Sequence, residues 1–524
     1  MQGNKFDSQK LFYQFSLARH VPEDNFYRRL KTALDLSFLR KKAAPLYGTC
    51  GQESIDTVVF FKMLLVGYLE NIPSDRKLIE FCSMRMDVLF FLNYDIDESL
   101  PWHSTISRTR QLFGKELFEE LFNKVLELCI NKGMVAGHTQ AVDAAFVKAN
   151  ASLDSLEVKT APCDPKKYID NSFQINEEPI RKAKKDHSDP DQNTITAQKH
   201  ELDEVHRRQT KWTDNPDNTH RMGSHDPRAR YLSNLTHYSP VDPDARIAVK
   251  PGKPRNLVYT SNMSVDTANH VITNIQADFA DKKDSRNLLK IVENTSKRLD
   301  KLGFKVENIL ADAGFPSGEN FKKLEEMNIR AFIPEHGKYE GGRKGFTYVP
   351  ESDSWKCPNN KHLIFKKVKP DAKGNFFRHY RTSRKDCKDC PLKEQCIGAQ
   401  HECQLRITIY KDYYDSAIQR MNSSFGKRMK YLRQSTVEPV FGSLINYYAM
   451  RKVNTRGIVS AHKSMLMAAI AYNLRKYMKY YPQKINLMAA TAKAAMNIIG
   501  DSFTILFLVV LKILGLKKSI LTDF

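Results

Sequence analysis

Two aspartates stand in sequence contexts that suit metal-dependent phosphodiester chemistry. Asp143 lies within a predicted strand of small and apolar residues (AVDAAFVKA), where a carboxylate is costly to bury unless it is paired or binds a metal. Asp312 ends a second predicted strand (ENILADAGF) and is followed by Gly314 and a helix that begins near Ser317. Because α/β sheets bind ligands beyond the ends of their strands, Asp312 is well placed for a ligand-binding acid.

Glu438 is the third candidate acid. We expect it in the first turn of a helix capped by Thr436, because Pro439 is tolerated where the amides have no partner within the helix. Taken singly, each acid would also fit a helix cap or a salt bridge. Together they predict a nuclease-type site, since cutting a phosphodiester uses two divalent ions about 3.5–4 Å apart and Mg²⁺ prefers carboxylate oxygens.

The charge balance favours nucleic acid as the partner. The 524 residues include 82 Lys and Arg against 60 Asp and Glu, which gives a net charge of +22 and a pI near 9.4. A positively charged surface that is merely solvated is the alternative. Nine cysteines are too few for a disulfide-stapled secreted protein, and the first residues lack an apolar signal-peptide stretch, so we expect an intracellular protein.

Residues 1–135 predict an all-helical N-terminal DNA-binding domain, with Asp24 as the cap of an early helix. The segment LPWHSTISRTRQLFG predicts a short helix that is capped by Ser104 or Thr105 and exposes two arginines, Arg108 and Arg110. It resembles a DNA-contacting helix-turn-helix element. An ordinary surface helix explains the same pattern equally well.

Residues 136–350 predict the first part of an α/β core, a mixed sheet flanked by helices, because short β-like segments alternate with helical stretches. A polar insertion at about 154–235 predicts a loop without a core of its own. Residues 404–482 complete the core with the helix of the candidate glutamate. Residues 483–524 predict a helical tail whose apolar stretch, 503–516, is too short to span a bilayer. We expect it to be buried or to face a partner, with no stable membrane association; membrane attachment is the alternative.

Residues 351–403 form a Cys-rich insertion that holds five of the nine cysteines. Thiolates at CxxC spacing can bind Zn²⁺ tetrahedrally, and Cys357, Cys387, Cys390 and Cys396 are the predicted ligands of a structural zinc. A redox pair or unligated thiols are the alternatives.

Three segments carry a resemblance to a known family: AVDAAFVKANAS, ILADAGFPSGENFKKLEE and STVEPVFGSLINYYAMRKVNTRG. They resemble the three acidic motifs of bacterial insertion-sequence transposases of the DDE type. The similarity extends over roughly residues 20 to 480. It implies an RNase H-like catalytic core and an InsH-like helical N-terminal domain.

The resemblance also implies an activity. Asp143, Asp312 and Glu438 would bind Mg²⁺, with Mn²⁺ as the alternative ion, and the enzyme would cut the ends of its element and join the freed 3′-hydroxyl to target DNA. The implied partners are double-stranded DNA, as terminal repeats and as target, and a second copy of the chain in the end-bound complex. The implied location is the bacterial cytoplasm, at the nucleoid.

The segment before the glutamate departs from the family pattern. Tyr431 fits the position of a tyrosine that contacts the DNA end, whereas Gln434 and Ile445 replace an arginine and a lysine. Arg433, Arg451 or Lys452, in the basic segment 404–456, could reach the same phosphate instead. The predicted DNA contacts are Arg108, Arg110, Lys427, Arg428, Lys430, Tyr431, Arg433, Arg451, Lys452 and Arg456. Two alternatives stay open: a catalytically decayed DNA-binding protein derived from a transposase, and a structure-specific DNA nuclease.

Overall fold

The computed structural model describes residues 15–48, 54–161, 192–213, 232–249, 254–335, 337, 339, 341–371 and 374–480. The apolar stretch predicted at 503–516 and much of the polar insertion lie outside the described residues.

The N-terminal part is helical, as predicted. Its helices are α1 (Leu17–His20), α2 (Phe26–Ala33), α3 (Phe38–Ala43), α4 (Thr57–Leu69), α5 (Asp75–Ser83), α6 (Met86–Leu92), α7 (His103–Leu112) and α8 (Lys115–Asn131).

Helix α4 is buried on nearly all sides and forms the centre of this bundle. The cap predicted at Asp24 is wrong by one residue. Asn25 precedes α2, and its side-chain oxygen accepts from the amides of Tyr27 and Arg28 at 2.8 and 3.3 Å.

A six-stranded mixed sheet follows the bundle. It contains β1 (Thr139–Lys148), β4 (Arg246–Ala248), β5 (Asn256–Asp266), β6 (Ile272–Phe279), β7 (Asn308–Leu310) and β8 (Arg330–Phe332).

The central strand β1 pairs antiparallel with β5 and parallel with β7. Beyond β5, the strands β4 and β6 both pair antiparallel, and beyond β7 the strand β8 pairs parallel. The sheet therefore has an antiparallel half and a parallel half that meet at β1.

The described part of the polar insertion, with the residues that directly follow it, contains more structure than the predicted loop. Two short strands pair antiparallel, β2 (Glu157–Val158) and β3 (His237–Tyr238), and two helices occur, α9 (Gln192–Ile195) and α10 (Lys199–Thr213).

Five helices flank the sheet or join it to the bundle: α11 (Asp284–Asp300), α12 (Gly318–Glu326), α15 (Lys411–Asn422), α16 (Ser424–Tyr447) and α17 (Ile458–Lys479). Helix α17 packs against α4, α8 and β6, so bundle and sheet share one hydrophobic core. The Met and Ala residues along one stripe of α17, including Met465 and Ala468, are fully buried. Asn473 exchanges two hydrogen bonds with the backbone of Ile272 and so covers part of the open edge of β6.

The Cys-rich insertion forms a second sheet. Its antiparallel strands follow one another in chain order: β9 (Thr347–Val349), β10 (Ser354–Lys356), β11 (His362–Pro370), β12 (Phe376–Arg381) and β13 (Gln404–Thr408). Two short helices, α13 (Arg384–Lys388) and α14 (Lys393–Cys396), lie between β12 and β13. The sheet has its own small cluster of buried residues around Trp355 and Tyr380.

Among the helices of the described residues, none combines the length and the apolar character that a bilayer crossing requires.

Candidate active site

The sheet brings two of the three candidate acids together. Asp143 lies in the middle of β1, opposite Met263 of β5. On the other side, β1 and β7 pair in parallel up to Ala141 and Leu310, so Asp143 and Asp312 both follow the last pair by two residues. Neighbouring strands are about 4.8 Å apart, and equal spacing from a matched pair places both side chains on the same face.

The loop after Asp312 is fixed by a side chain that the sequence did not reveal. Ser317 caps α12 by accepting from the amide of Asn320, which confirms the helix predicted to begin near Ser317. The Asn320 side-chain amide donates to the carbonyl of Phe315 and to that of Ser285, at 2.9 and 2.7 Å. These bonds tie the loop to the start of α11.

Glu438 comes from α16, which runs across the sheet. The predicted cap at Thr436 is wrong, because α16 begins at Ser424 and is capped by Ser423, whose side chain accepts from the amide of Gly426. Glu438 therefore lies in the second half of a 24-residue helix, and Pro439 lies inside it. The proline removes one backbone donor. A buried apolar face holds the helix on the sheet nonetheless: Val437, Val440, Phe441 and Leu444.

A single guanidinium lies among the three acids. Arg433 Nη2 is 2.9 Å from Asp143 Oδ2, and Arg433 Nη1 is 3.8 Å from Asp312 Oδ1 and 3.9 Å from Glu438 Oε1. The Arg433 side chain is only 9% exposed, whereas those of Asp312 and Glu438 are 56% and 63% exposed. The acids thus form one cluster whose buried end is Asp143 and whose open end faces solvent.

The chemistry of this cluster fits a hard divalent cation. It offers carboxylate oxygens, which Mg²⁺ and Mn²⁺ prefer, and two of the three carboxylates can reach solvent and substrate. Across the described ranges, no three acidic, Cys or His side chains stand close enough to hold an ion as placed. At the acidic cluster, the Arg433 guanidinium occupies the space between the three carboxylates.

Helix α16 also carries five of the ten predicted DNA contacts. Its exposed residues include Lys427, Arg428, Lys430 and Tyr431, and the Tyr431 side chain projects almost freely into solvent. After the helix, Arg451, Lys452 and Arg456 are all exposed. Arg433 does not belong to this surface. Without DNA it lies buried among the acids, and its predicted contact with a DNA phosphate stays a prediction.

The two N-terminal arginines differ from each other. Helix α7 begins at His103 without a side-chain cap, so neither Ser104 nor Thr105 is the predicted cap. Arg108 is exposed, as expected. The expectation that Arg110 is exposed is wrong: it is buried and donates twice to Asp75 in the first turn of α5, at 2.7 and 3.0 Å. Arg110 therefore joins two helices.

As placed, no three of the four predicted zinc ligands stand close enough together to hold an ion. Cys357 accepts from the backbone amide of Lys361, and Cys390 accepts from the side-chain amide of Asn359. Cys396 instead lies 4.0 Å, sulfur to sulfur, from Cys403, a cysteine outside the predicted set.

Cys403 has the environment of a protonated thiol. Burial, together with the neighbouring thiols of Cys396 and Cys387, raises the pKa of Cys403 to about 12. The Arg343 guanidinium approaches its sulfur at 3.7 Å and partly opposes this effect.

Two segments of the chain match known protein families. Residues 15–112 match a family described as a transposase domain (DUF772), and residues 356–478 match a family described as a transposase DDE domain. The first match covers α7 with Arg108, and the second covers strands β11 to β13 of the Cys-rich sheet, Arg433 and Glu438. A comparison with curated proteins finds no match.

Proposed function

The chain belongs to the insertion-sequence DDE transposases, and from this premise we propose that Asp143, Asp312 and Glu438 are its catalytic triad. The observation that carries the proposal is the convergence of all three carboxylates on one guanidinium, within 4 Å in each case. The acids come from β1, the end of β7 and α16, elements far apart in sequence. Three unrelated caps or surface ion pairs would have no reason to meet.

The fold supports an RNase H-like assignment of the core. The strand order β6-β5-β1-β7-β8, with three antiparallel strands followed by two parallel ones, is the arrangement expected for that fold. The acids then occupy the central strand, its parallel neighbour and a helix lying on the sheet.

The three carboxylates would hold Mg²⁺, or Mn²⁺ in its place. When bound, such ions activate the attacking oxygen and stabilise the leaving oxygen of the phosphodiester. Asp143 provides the rigid end of the site because it lies within a paired strand and accepts from the amide of Ala144 at 2.8 Å. Asp312 and Glu438 lie at the open end, where the substrate backbone enters. Water is the first nucleophile, and the freed 3′-hydroxyl of the element end is the second.

The DNA would lie along the exposed face of α16. Arg428 and Tyr431 precede Glu438 by about three and two helical turns, so a backbone bound to them continues toward the triad. Arg108 on α7 provides a separate exposed cation in the N-terminal bundle. A transposase that joins two element ends needs two catalytic sites in one complex, so we infer a homodimer on DNA, acting at the bacterial nucleoid.

A structural zinc in the Cys-rich sheet is a further part of the proposal. What supports it is the CxxC spacing of Cys387 and Cys390 and the approach of Cys396 to Cys403. As placed, the four cysteines predicted from sequence do not fit one ion, so Cys403 is the more suitable partner for Cys396.

The test uses labelled DNA carrying the element ends, with Mg²⁺, and compares the wild type with Asp143→Asn, Asp312→Asn and Glu438→Gln. Asp300→Asn, at an exposed acid that ends α11, is the matched control. We expect cutting at the element boundary in the wild type and the control, and its loss in the three variants, with DNA binding retained. Strand transfer into a plasmid separates a transposase from a nuclease. Binding without cutting by the wild type would contradict the catalytic proposal and favour a decayed copy.

A further inference from the structure

Arg433 occupies the place among the acids that a metal ion would need. Its guanidinium lies within 4 Å of a carboxylate oxygen from each of Asp143, Asp312 and Glu438. Within the part of the chain that the structure describes, its Nε is buried and has no hydrogen-bond partner. The side chain is therefore held at its tip by the acids, and its inner nitrogen contributes no bond that would fix it there.

A divalent ion and this guanidinium would repel each other strongly if both were bound in the cluster. An ion bound by the three carboxylates would lie about as close to the guanidinium as the carboxylates do, and like charges at such distances repel strongly where water is partly excluded. Each cation also neutralises the charge that would attract the other. Binding of the ion therefore requires the guanidinium to move away.

We propose that Arg433 excludes divalent metal from the triad of the DNA-free protein and moves to a DNA phosphate when substrate binds. The inference rests on the proposed metal-dependent function of the triad. A guanidinium binds phosphate oxygens through two parallel hydrogen bonds, so a phosphate can replace the carboxylates as its partner.

The geometry permits this exchange. Only the bond to Asp143 is short, at 2.9 Å, while the approaches to Asp312 and Glu438 are 3.8 and 3.9 Å. The last two acids are more than half exposed, so the open end of the cluster is where a DNA backbone would arrive. Because coupling is reciprocal, DNA then raises the affinity for metal, and metal raises the affinity for DNA by the same factor.

The experiment measures Mn²⁺ binding to the intact, DNA-free protein by electron paramagnetic resonance. It compares the wild type with Arg433→Gln and Arg433→Lys. The matched control is Arg420→Gln, which removes a half-buried arginine that contacts the carbonyl of Ala331 and Glu325. Each variant is checked for folding by circular dichroism. A second Asp143→Asn substitution in the Arg433→Gln background tests whether any gained site is the triad.

We expect weak binding to the wild type, with Kd near or above about 1 mM, and at least tenfold tighter binding to Arg433→Gln that is lost with Asp143→Asn. Arg433→Lys, which keeps the positive charge, should bind as weakly as the wild type, and so should Arg420→Gln. Micromolar binding of Mn²⁺ to the DNA-free wild type that is lost in Asp143→Asn would overturn the inference. This outcome can be observed even if no Arg433 variant folds. Equal affinities of the wild type and a folded Arg433→Gln would overturn it as well.

These results are distinguishable from a failure of the proposed function, which would show as absent Mg²⁺-dependent cutting of element ends by the wild type. A wild type that cuts DNA but binds Mn²⁺ tightly without DNA would refute the role of Arg433 and leave the triad intact.

Discussion

Asp143 within β1 and Asp312 just beyond the end of β7 stand at matching positions, each two residues after the parallel pair formed by Ala141 and Leu310. The backbone register of the sheet therefore sets the relation of two acids of the proposed triad before any side-chain packing is considered. A shift of this register by one residue would turn one carboxylate to the opposite face. Only the third acid, Glu438, depends on how a helix docks on the sheet.

The basic face of α16 should control how DNA binding depends on salt. Each phosphate that a cation neutralises on duplex DNA adds about 0.9 to the slope of log K against log salt. Arg428→Gln should therefore weaken binding of end DNA and lower the slope by about 0.9, as measured by fluorescence anisotropy between low and physiological salt. Lys323→Gln, at a lysine whose charge is already matched by Glu326 at 2.9 Å, should change the slope much less. A slope that is the same in Arg428→Gln and the wild type would remove Arg428 from the interface.

Substitutions of the two arginines of α7 should affect different properties: the stability of the fold for Arg110 and the affinity for DNA for Arg108. Arg110→Gln leaves Asp75 without its bidentate partner at a largely buried position, so we expect a loss of about 3 kcal/mol in the free energy of unfolding. Arg108→Gln, at an exposed position on the same helix, should change stability by less than about 0.5 kcal/mol and lower DNA affinity. Urea titration followed by circular dichroism measures the first effect. Equal stability losses in the two variants would contradict the assigned roles.

Much of the fold could be predicted from sequence, because strands and helices follow from periodicity and the three acids from their neighbours. The burial of Arg433 among the acids was not predicted, because α16 was expected to begin at Thr436. In the continuous helix, Arg433 stands four residues before Val437 and seven before Val440, on the buried face. The proline in the motif suggested a helix start, but packing of the apolar face outweighs the one missing hydrogen bond.

Helical spacing also indicates that Arg110 is buried. It lies four residues after Ile106 and three before Phe113, both fully buried, so its place on the apolar face followed from helical spacing. That it would pair with Asp75 could not be predicted, since the contact depends on how α5 and α7 cross. The relation of Cys396 to Cys403 likewise depends on the pairing of β12 with β13.

The Cys-rich sheet should contain zinc when the protein is purified without chelator, at about one ion per chain. Because Cys403 lies beside Cys396, Cys403→Ser should lower the zinc content, whereas Cys129→Ala, in the N-terminal bundle, should not. Metal analysis by mass spectrometry gives the result. Absence of zinc from the wild type, with all thiols freely titratable, would remove the zinc proposal.

After removal of metal, the cysteines should differ in reactivity toward iodoacetamide. Since burial and the adjacent thiols raise the pKa of Cys403 to about 12, only roughly one molecule in ten thousand carries its thiolate at pH 8, and the thiolate is the reactive form. Cys390, which is half-exposed, should be alkylated at least tenfold faster, as followed by peptide mass spectrometry. The rate at Cys403 should keep rising with pH beyond 10. Equal rates at pH 8 would contradict the buried position of Cys403.

The central claim, that the acids bind the catalytic metal, is tested most directly by changing the ligand atom. Asp143→Cys and Asp312→Cys replace hard carboxylate oxygens by a softer sulfur, which accepts Mn²⁺ more readily than Mg²⁺. We predict that both variants fail to cut element-end DNA with Mg²⁺ and recover part of the activity with Mn²⁺, while Asp143→Asn and Asp312→Asn recover less. Cutting by the cysteine variants that is equal with the two ions, or undiminished with Mg²⁺, would contradict the assignment of these aspartates as metal ligands.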